Sequence, residues 1–254
     1  MSRWDEEYRF AHHLADVADA ITMPSFRSPL GVRTKADGTP VTDADEAAER
    51  AIREEIERRY PGHVVLGEEQ GASGSGAQRW IIDPIDGTKA YASGVPIWAT
   101  LVALEIDGEI VCGVASAPAL GERYAAAAGH GSTCNGAPIH VSDVASIDGC
   151  RLTYTSYRSF QGTRWGPGFD ELVSRAAWAR GWGDFWGHVL VASGRADVMV
   201  EPEVNTWDLA PLIVIVEEAG GRLTDLEGRR RIDGSSVLTT NGRLHGAALE
   251  TLGG

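Results

Sequence analysis

The chain has 254 residues, of which 43% are hydrophobic, enough for one large core or two closely packed halves and too many for a disordered chain. A formal net charge of −13 argues against nucleic acid or an anionic membrane as partner, because both need basic patches. It leaves room for a small phosphate ester, since bound cations reverse the local field. Cys112, Cys134 and Cys150 are odd in number and lack metal-ligand spacing, so they read as packing residues in a reducing compartment. The acidic start (Asp5, Glu6, Glu7) is unlike a signal peptide, and no apolar run approaches the roughly 20 residues of a spanning helix. A soluble, cytoplasmic protein is the expectation.

Apolar residues at helical spacing (Phe10, Leu14, Val17, Ile21) predict a helix over 3–23, with Pro24 ending it. Arg27–Pro40 reads as a loop with a short strand at Val32–Thr34, and Thr42 starts a second helix that Pro61-Gly62 stops near Tyr60. Strands are predicted at 64–66 and 79–82, with the Gly-Ala-Ser-Gly-Ser-Gly segment 71–76 as a flexible surface loop between them. Asp107-Gly108 marks a hairpin joining 99–106 to 109–115, and Arg123–Ala127 adds another strand. The second half alternates: a strand at 151–155, helices at 169–180 and 185–193, a strand at 196–200, a helix at 208–219, and strands at 222–225 and 236–240. This divides the chain into an N-terminal α+β half, 1–145, and a C-terminal α/β half, 146–254, forming one compact unit.

Three segments carry chemistry. In Trp80-Ile81-Ile82-Asp83-Pro84-Ile85-Asp86-Gly87-Thr88 a strand runs into two carboxylates, and the Pro and Gly allow both to turn toward one point beside backbone N–H groups and a hydroxyl. Val64-Val65-Leu66-Gly67-Glu68-Glu69 is a second strand emptying into acids, and Trp207-Asp208 opens an apolar helix. Glu68, Asp83, Asp86 and Asp208 in one place would repel each other unless divalent cations sat among them. Each has a plainer reading: a turn for Asp83 and Asp86, a loop acid for Glu68, a helix-dipole partner for Asp208. Three such segments in order favour a metal-assisted phosphate site.

These segments, with Glu218-Ala219-Gly220-Gly221, resemble the signature of the inositol monophosphatase-like phosphatases across nearly the whole chain. Within that superfamily the chain is similar to the actinobacterial-type histidinol-phosphate phosphatases through Asp83–Lys89, Gly94–Ala99, Ser116–Leu120 and Gly183-Asp184-Phe185. The resemblance implies an α+β fold, a layered αβαβα sandwich of the inositol monophosphatase/fructose-1,6-bisphosphatase type. It implies Asp83, Asp86, Asp208, Glu68 and the Ile85 carbonyl as metal ligands, with Gly87 and Thr88 holding phosphate. Glu68 and Thr88 would orient and help deprotonate the attacking water, and Asp45 would hydrogen-bond Thr88. It also implies two to three Mg²⁺ per subunit, in-line attack without a phosphoenzyme, lithium inhibition and a homodimer.

The same resemblance implies Asp86, Asp184 and Glu201 as substrate contacts. The last two, as acids, suit the ammonium of L-histidinol phosphate better than a neutral polyol. The expected activity is therefore hydrolysis of L-histidinol phosphate, a step of histidine biosynthesis. The alternatives are an inositol-1-monophosphatase, a 3′-phosphoadenosine 5′-phosphate phosphatase, or a non-catalytic metabolite-binding protein. Asp45 also fits a capping box with Thr42, Asp184 fits an N-cap, and Glu69 reads as peripheral. Lys35 is a candidate for a long-range electrostatic role. Ala90 stands where the family often has Asn. His12 and His13 read as surface, His188 as core or pocket wall, and the tryptophans between 165 and 186 as core or subunit contact.

Overall fold

A computed structural model describes residues 3–28, 32–34 and 40–253; Lys35 lies outside them. In chain order the elements are α1 (Asp5–Ser25), β1 (Val32–Thr34), β2 (Pro40–Thr42), α2 (Asp43–Arg59), β3 (Val64–Gly67), β4 (Gly71–Ser73), β5 (Gln78–Asp86), α3 (Thr88–Ala92), β6 (Ala99–Ile106), β7 (Glu109–Ala117), β8 (Glu122–Ala127), β9 (Ser132–Cys134) and β10 (Ala137–Ile139). The second half continues with β11 (Arg151–Tyr154), α4 (Tyr157–Phe160), α5 (Gly166–Arg175), β12 (Trp178–Arg180), α6 (Asp184–Ala192), β13 (Val198–Glu201), α7 (Thr206–Glu218), β14 (Arg222–Thr224), β15 (Val237–Thr240) and α8 (His245–Gly253).

The strands form an eight-stranded sheet, β10-β9-β8-β7-β6-β5-β3-β4, a five-stranded sheet, β12-β11-β13-β15-β14, and the small pair β1-β2. Period-two alternation makes both faces of the large sheet apolar. On β5, Trp80 and Ile82 face one way and pack with Leu14, Ala48 and Ile52 of α1 and α2. Ile81 faces the other way and packs with Phe185, Val189, Leu209 and Ile213 of α6 and α7. The outer face of the small sheet (Leu152, Val198, Val200, Leu238) is covered by Phe169 and Leu172 of α5 and Leu252 of α8. Helix α7 contacts strands of both sheets, and α6 packs on α7 and on β13 and β15. The layers run helix, sheet, helix, sheet, helix, and the αβαβα expectation holds. No helix among the described residues is long and apolar enough to cross a membrane.

The structure departs from the sequence reading in several places, among them the unpredicted β2, α3 and α4. Helix α1 continues to Ser25 with Pro24 inside it, because a proline in the last turn removes little of the helical ladder. Gly71–Ser73, expected as loop, pairs antiparallel with β3. The helix expected over 169–180 ends at Arg175, and Trp178–Arg180 becomes an edge strand parallel to β11; neighbouring backbone overrides helix propensity there. The β9–β10 hairpin turns through Asn135 and Gly136, both at positive φ, an Asn-Gly signal present in the sequence but passed over. Helix α8 was also not expected.

Candidate active site

Successive residues of a strand face opposite sides, so Asp83 and Asp86, three apart, should point away from each other. They do not, because β5 bulges between them: Asp83 pairs with Leu101 and Asp86 with Ala99, placing one extra residue on β5. The bulge restores parity and aims both carboxylates into one cleft. Pro84 tolerates the break because it has no N–H to lose from the ladder. Its carbonyl accepts a hydrogen bond from Thr100 Oγ1 at 2.8 Å, and Asp83 Oδ1 accepts from the Ile85 N–H at 2.9 Å. Gly87 follows at φ 83°, and a Cβ there would lie 2.9 Å from the Ile97 carbonyl oxygen, so only glycine fits.

Asp208 arrives from the other half on the first turn of α7. Asn205 and Asp208 form a capping box, in which Asp208 Oδ2 accepts from the Asn205 backbone N–H at 2.8 Å. One ligand atom from each of Asp83, Asp86 and Asp208 lies within 4.8 Å of the other two. The surrounding cleft, about 470 Å³, is lined by Glu68, Ile85, Gly87, Thr88, Lys89 and Asp184 besides the three aspartates, and by Thr155 and Ser156. Lys89 is the one cation among these lining residues.

Without a cation this arrangement is electrostatically costly. Burial, then Glu68, Asp86 and Asp208, hold the Asp83 carboxyl well above its ordinary range. Burial, then Asp184 and Asp208, do the same for Asp86, whose Oδ2 accepts from the Phe185 N–H at 2.7 Å. Burial pushes Asp208 up to about 7. Three clustered, largely buried carboxylates and a nearby backbone carbonyl are a donor set for a hard divalent cation, whose charge would offset the repulsion.

Asp45 sits apart from that group. It closes the capping box of α2: its Oδ2 accepts from the Thr42 N–H at 2.8 Å and the Thr42 hydroxyl at 2.5 Å. Its Oδ1 is buried without a partner, and burial pushes its carboxyl up to about 6. The expected bond between Asp45 and Thr88 is not formed. The Thr88 hydroxyl donates instead to the Ile85 carbonyl at 3.0 Å, three residues back along its own turn, where local geometry supplies a nearer acceptor.

Asp184 is not an N-cap either. Gly183 holds that position, and Asp184, at φ 53°, is the first residue of α6. A left-handed aspartate costs roughly 1 kcal/mol, and the conformation brings its Oδ2 to 3.6 Å from where a Gly87 Cβ would stand. Its carboxyl is raised by burial, and Lys89 pulls it back down. Behind the cleft, sharing Asp86, Thr155, Asp184 and Asp208 with it, lies a smaller recess of about 80 Å³ that reaches Glu201 and His188. Glu201 Oε2 and His188 Nε2 are 3.1 Å apart, and His188 Nδ1 is 2.8 Å from Thr239 Oγ1. Burial lowers His188 to about 3, so the ring is neutral. Burial and Asp184 hold Glu201 well above its ordinary range. His188 is thus both core and recess wall.

Sequence reading missed Thr155 and Ser156, which follow β11, and the Phe185 N–H that ties Asp86 to α6. It also missed Glu49, whose signal was its place one helical turn after Asp45. Of the tryptophans, Trp178, Trp182 and Trp186 form a ladder with ring centroids 5.6 and 5.4 Å apart, away from the cleft lining.

Comparison with known proteins gives the family. The profile of the Inositol monophosphatase family matches residues 3–253. The histidinol-phosphatase of Streptomyces coelicolor is 44% identical over 250 residues, 94% of each chain. That of Mycobacterium tuberculosis is 44% identical over 254 residues, 97% of this chain and 98% of its own. Among solved structures, an inositol monophosphatase from Zymomonas mobilis matches with a TM-score of 0.89 at 33% identity, covering 99% of both chains. From the bulge at Pro84 to the layer order, and over all but the ends of its length, this chain belongs to the inositol monophosphatase family.

Proposed function

We propose that this chain is a Mg²⁺-dependent phosphomonoesterase that hydrolyses L-histidinol phosphate to L-histidinol and phosphate. The observation that carries the chemistry is the convergence of Asp83, Asp86 and Asp208 within 4.8 Å at the floor of an open cleft. Support for the substrate comes from relatives named as histidinol-phosphatases at 44% identity over most of their length, and from the extra acid, Asp184, in the cleft lining.

In this reading Asp83, Asp86, Asp208, Glu68 and the Ile85 carbonyl would hold two to three Mg²⁺, which would supply positive charge against the phosphoryl group and a lowered pKa for water. Glu68 takes the proton of the attacking water, and the Thr88 hydroxyl, fixed by its bond to Ile85, orients that water. The first-turn N–H groups of Gly87 and Thr88 have no intrahelical partners to face, so they hold the phosphate oxygens. Asp184 and Glu201 receive the ammonium group of the substrate, and His188 keeps Glu201 in place. Asp45, whose carboxyl is raised by burial and by the charge of Glu68, makes no bond to Thr88 and has no part in orienting the water through it. The free thiols of Cys112, Cys134 and Cys150 suit the cytoplasm. Homodimer formation and lithium inhibition belong to the same reading; light scattering and a lithium titration test them.

The direct test is phosphate release with Mg²⁺ from L-histidinol phosphate, myo-inositol 1-phosphate, fructose 1,6-bisphosphate and 3′-phosphoadenosine 5′-phosphate. A preference for the amine substrate above about a hundredfold in kcat/KM, roughly 2.7 kcal/mol, is expected. Equal rates on all four would leave the metal chemistry and remove the amine-recognition argument.

A further inference from the structure

The turn that carries Glu68 is held from below by two side chains of α2. Glu49 is 0% exposed and lies on the buried face of α2 with Asp45, Ile52 and Ile56, although a glutamate is almost never fully buried unless paired. Both its oxygens are used: Oε2 accepts from the Glu69 N–H at 2.8 Å, and Oε1 accepts from the Gln70 N–H at 2.9 Å and from Arg53 Nε at 2.9 Å. Arg53, with a side chain 12% exposed, donates onward to the Gly71 carbonyl at 2.5 Å and to Ser73 Oγ at 2.9 Å. Gly67 is glycine for the same reason, since a Cβ there would lie 2.5 Å from Glu49 Oε1. Every residue from Glu69 to Gly71 is thereby hydrogen-bonded through its backbone to one helix, and Glu68 stands at the start of that run.

We propose that Glu49 and Arg53 are a positioning pair that sets Glu68 against the Asp83–Asp86–Asp208 group. The inference rests on the reading of Glu68 as a metal ligand and base, and adds how that residue is held. A carboxylate suits the task because it is acceptor-only, so each oxygen takes one of two adjacent N–H groups. A Gln at 49 would turn an NH₂ toward one of them. Arg53 supplies the counter-charge that lets a carboxylate stay buried there. Because Asp45, Glu49 and Arg53 follow at intervals of four on α2, that helix fixes both Asp45 and the Glu68 turn as one rigid piece.

The test compares Glu49→Gln, Glu68→Ala and the double variant, with Arg53→Lys as the milder break should Glu49→Gln fail to fold. Displacement of a reacting group by an ångström costs about a hundredfold. For Glu49→Gln, kcat is expected to fall at least about tenfold and the Mg²⁺ half-saturation to rise about fivefold, with substrate KM within about threefold. In the metal-free protein, amide exchange at Glu69 and Gln70 should quicken while that of β5 stays unchanged. The double variant should be no slower than Glu68→Ala alone, since a residue acting through Glu68 has nothing left to position. Arg53→Lys should shift the same quantities in the same direction by less. If the double variant loses the Glu49→Gln factor again, or kcat and the Mg²⁺ constant stay within about twofold of the wild type, the positioning role is overturned. Wild-type activity in Glu68→Ala would instead sink the reading of Glu68 itself.

Discussion

The N-termini of α2 and α7 are built alike and sit in different surroundings. Each opens with a capping box whose third residue is an aspartate, and in each one carboxylate oxygen accepts the backbone N–H of the cap residue at 2.8 Å. At α7 Asp208 also contributes a ligand atom to the group with Asp83 and Asp86. At α2 Asp45 Oδ1 is buried without a partner, outside that group. The two acids cap their helices alike; what separates them is whether the carboxylate lies among the other acids of the cleft. The helix start of α6 extends the comparison, since Asp184 makes no side-chain cap at all and its whole carboxylate is left for the cleft.

The sharpest break of that comparison is Asp208→Asn, which keeps a capping acceptor and removes a charged ligand. Steady-state assays should show kcat/KM falling by about a thousandfold, roughly 4 kcal/mol, with little change in melting temperature. Asp45→Asn should lose only about tenfold; equal losses would mean that the two acids do the same work. Asp184→Ala should cut kcat/KM for L-histidinol phosphate by about thirtyfold or more while a neutral phosphate ester changes less than about threefold, since a desolvated ion pair is worth a few kcal/mol. Parallel losses on both substrates would remove Asp184 from amine recognition.

Metal removal probes the same acids through pH. Asp208 at about 7 and Asp45 at about 6 lie above their unfolded values, so the native state binds more protons across that window. Their stabilising share is present at low pH and is lost as pH rises through the folded values. Chelator-treated protein should therefore melt at lower temperature at pH 8 than at pH 5.5, by the equivalent of a few kcal/mol or less. Saturating Mg²⁺ should restore about 2.7 kcal/mol at a hundredfold excess over Kd and flatten the slope. A metal-free protein most stable at pH 8 would contradict the buried-acid account. The smallest effect is Thr42→Ala, a cap loss of about 1 kcal/mol that should lower Tm by roughly 2–4 °C. Activity should follow only as far as Asp45 shifts.

Much of this was legible because the motifs are local. Asp83 to Thr88 declares its acids, turn and hydroxyl within six residues at the end of a strand, and the Thr42 box and Asp107-Gly108 hairpin are short-range geometry. Glu218, part of the same signature, does scaffold work: its oxygens accept the Gly129 and Gly131 N–H groups at 2.8 and 2.7 Å, tying α7 to the turn after β8. A signature thus mixes residues of the site with residues that hold layers together, and only contacts separate them. What stayed hidden depended on partners distant in sequence. β12 is a strand because β11 lies beside it, and β4 because β3 does. Thr88 bonds Ile85, three residues back in its own turn, rather than Asp45 on another element.

The sequence by itself determined which chemistry-bearing residues exist, where strands and long helices run, and the family to which their order points, since periodicity and turn preferences act over a few residues. Only the tertiary structure decided the bulge that turns Asp83 and Asp86 to one side, the meeting of Asp208 with them across the two halves, and the burial of Glu49 under the Glu68 turn. Parity, burial and electrostatic coupling arise between elements, and no single stretch of chain contains them.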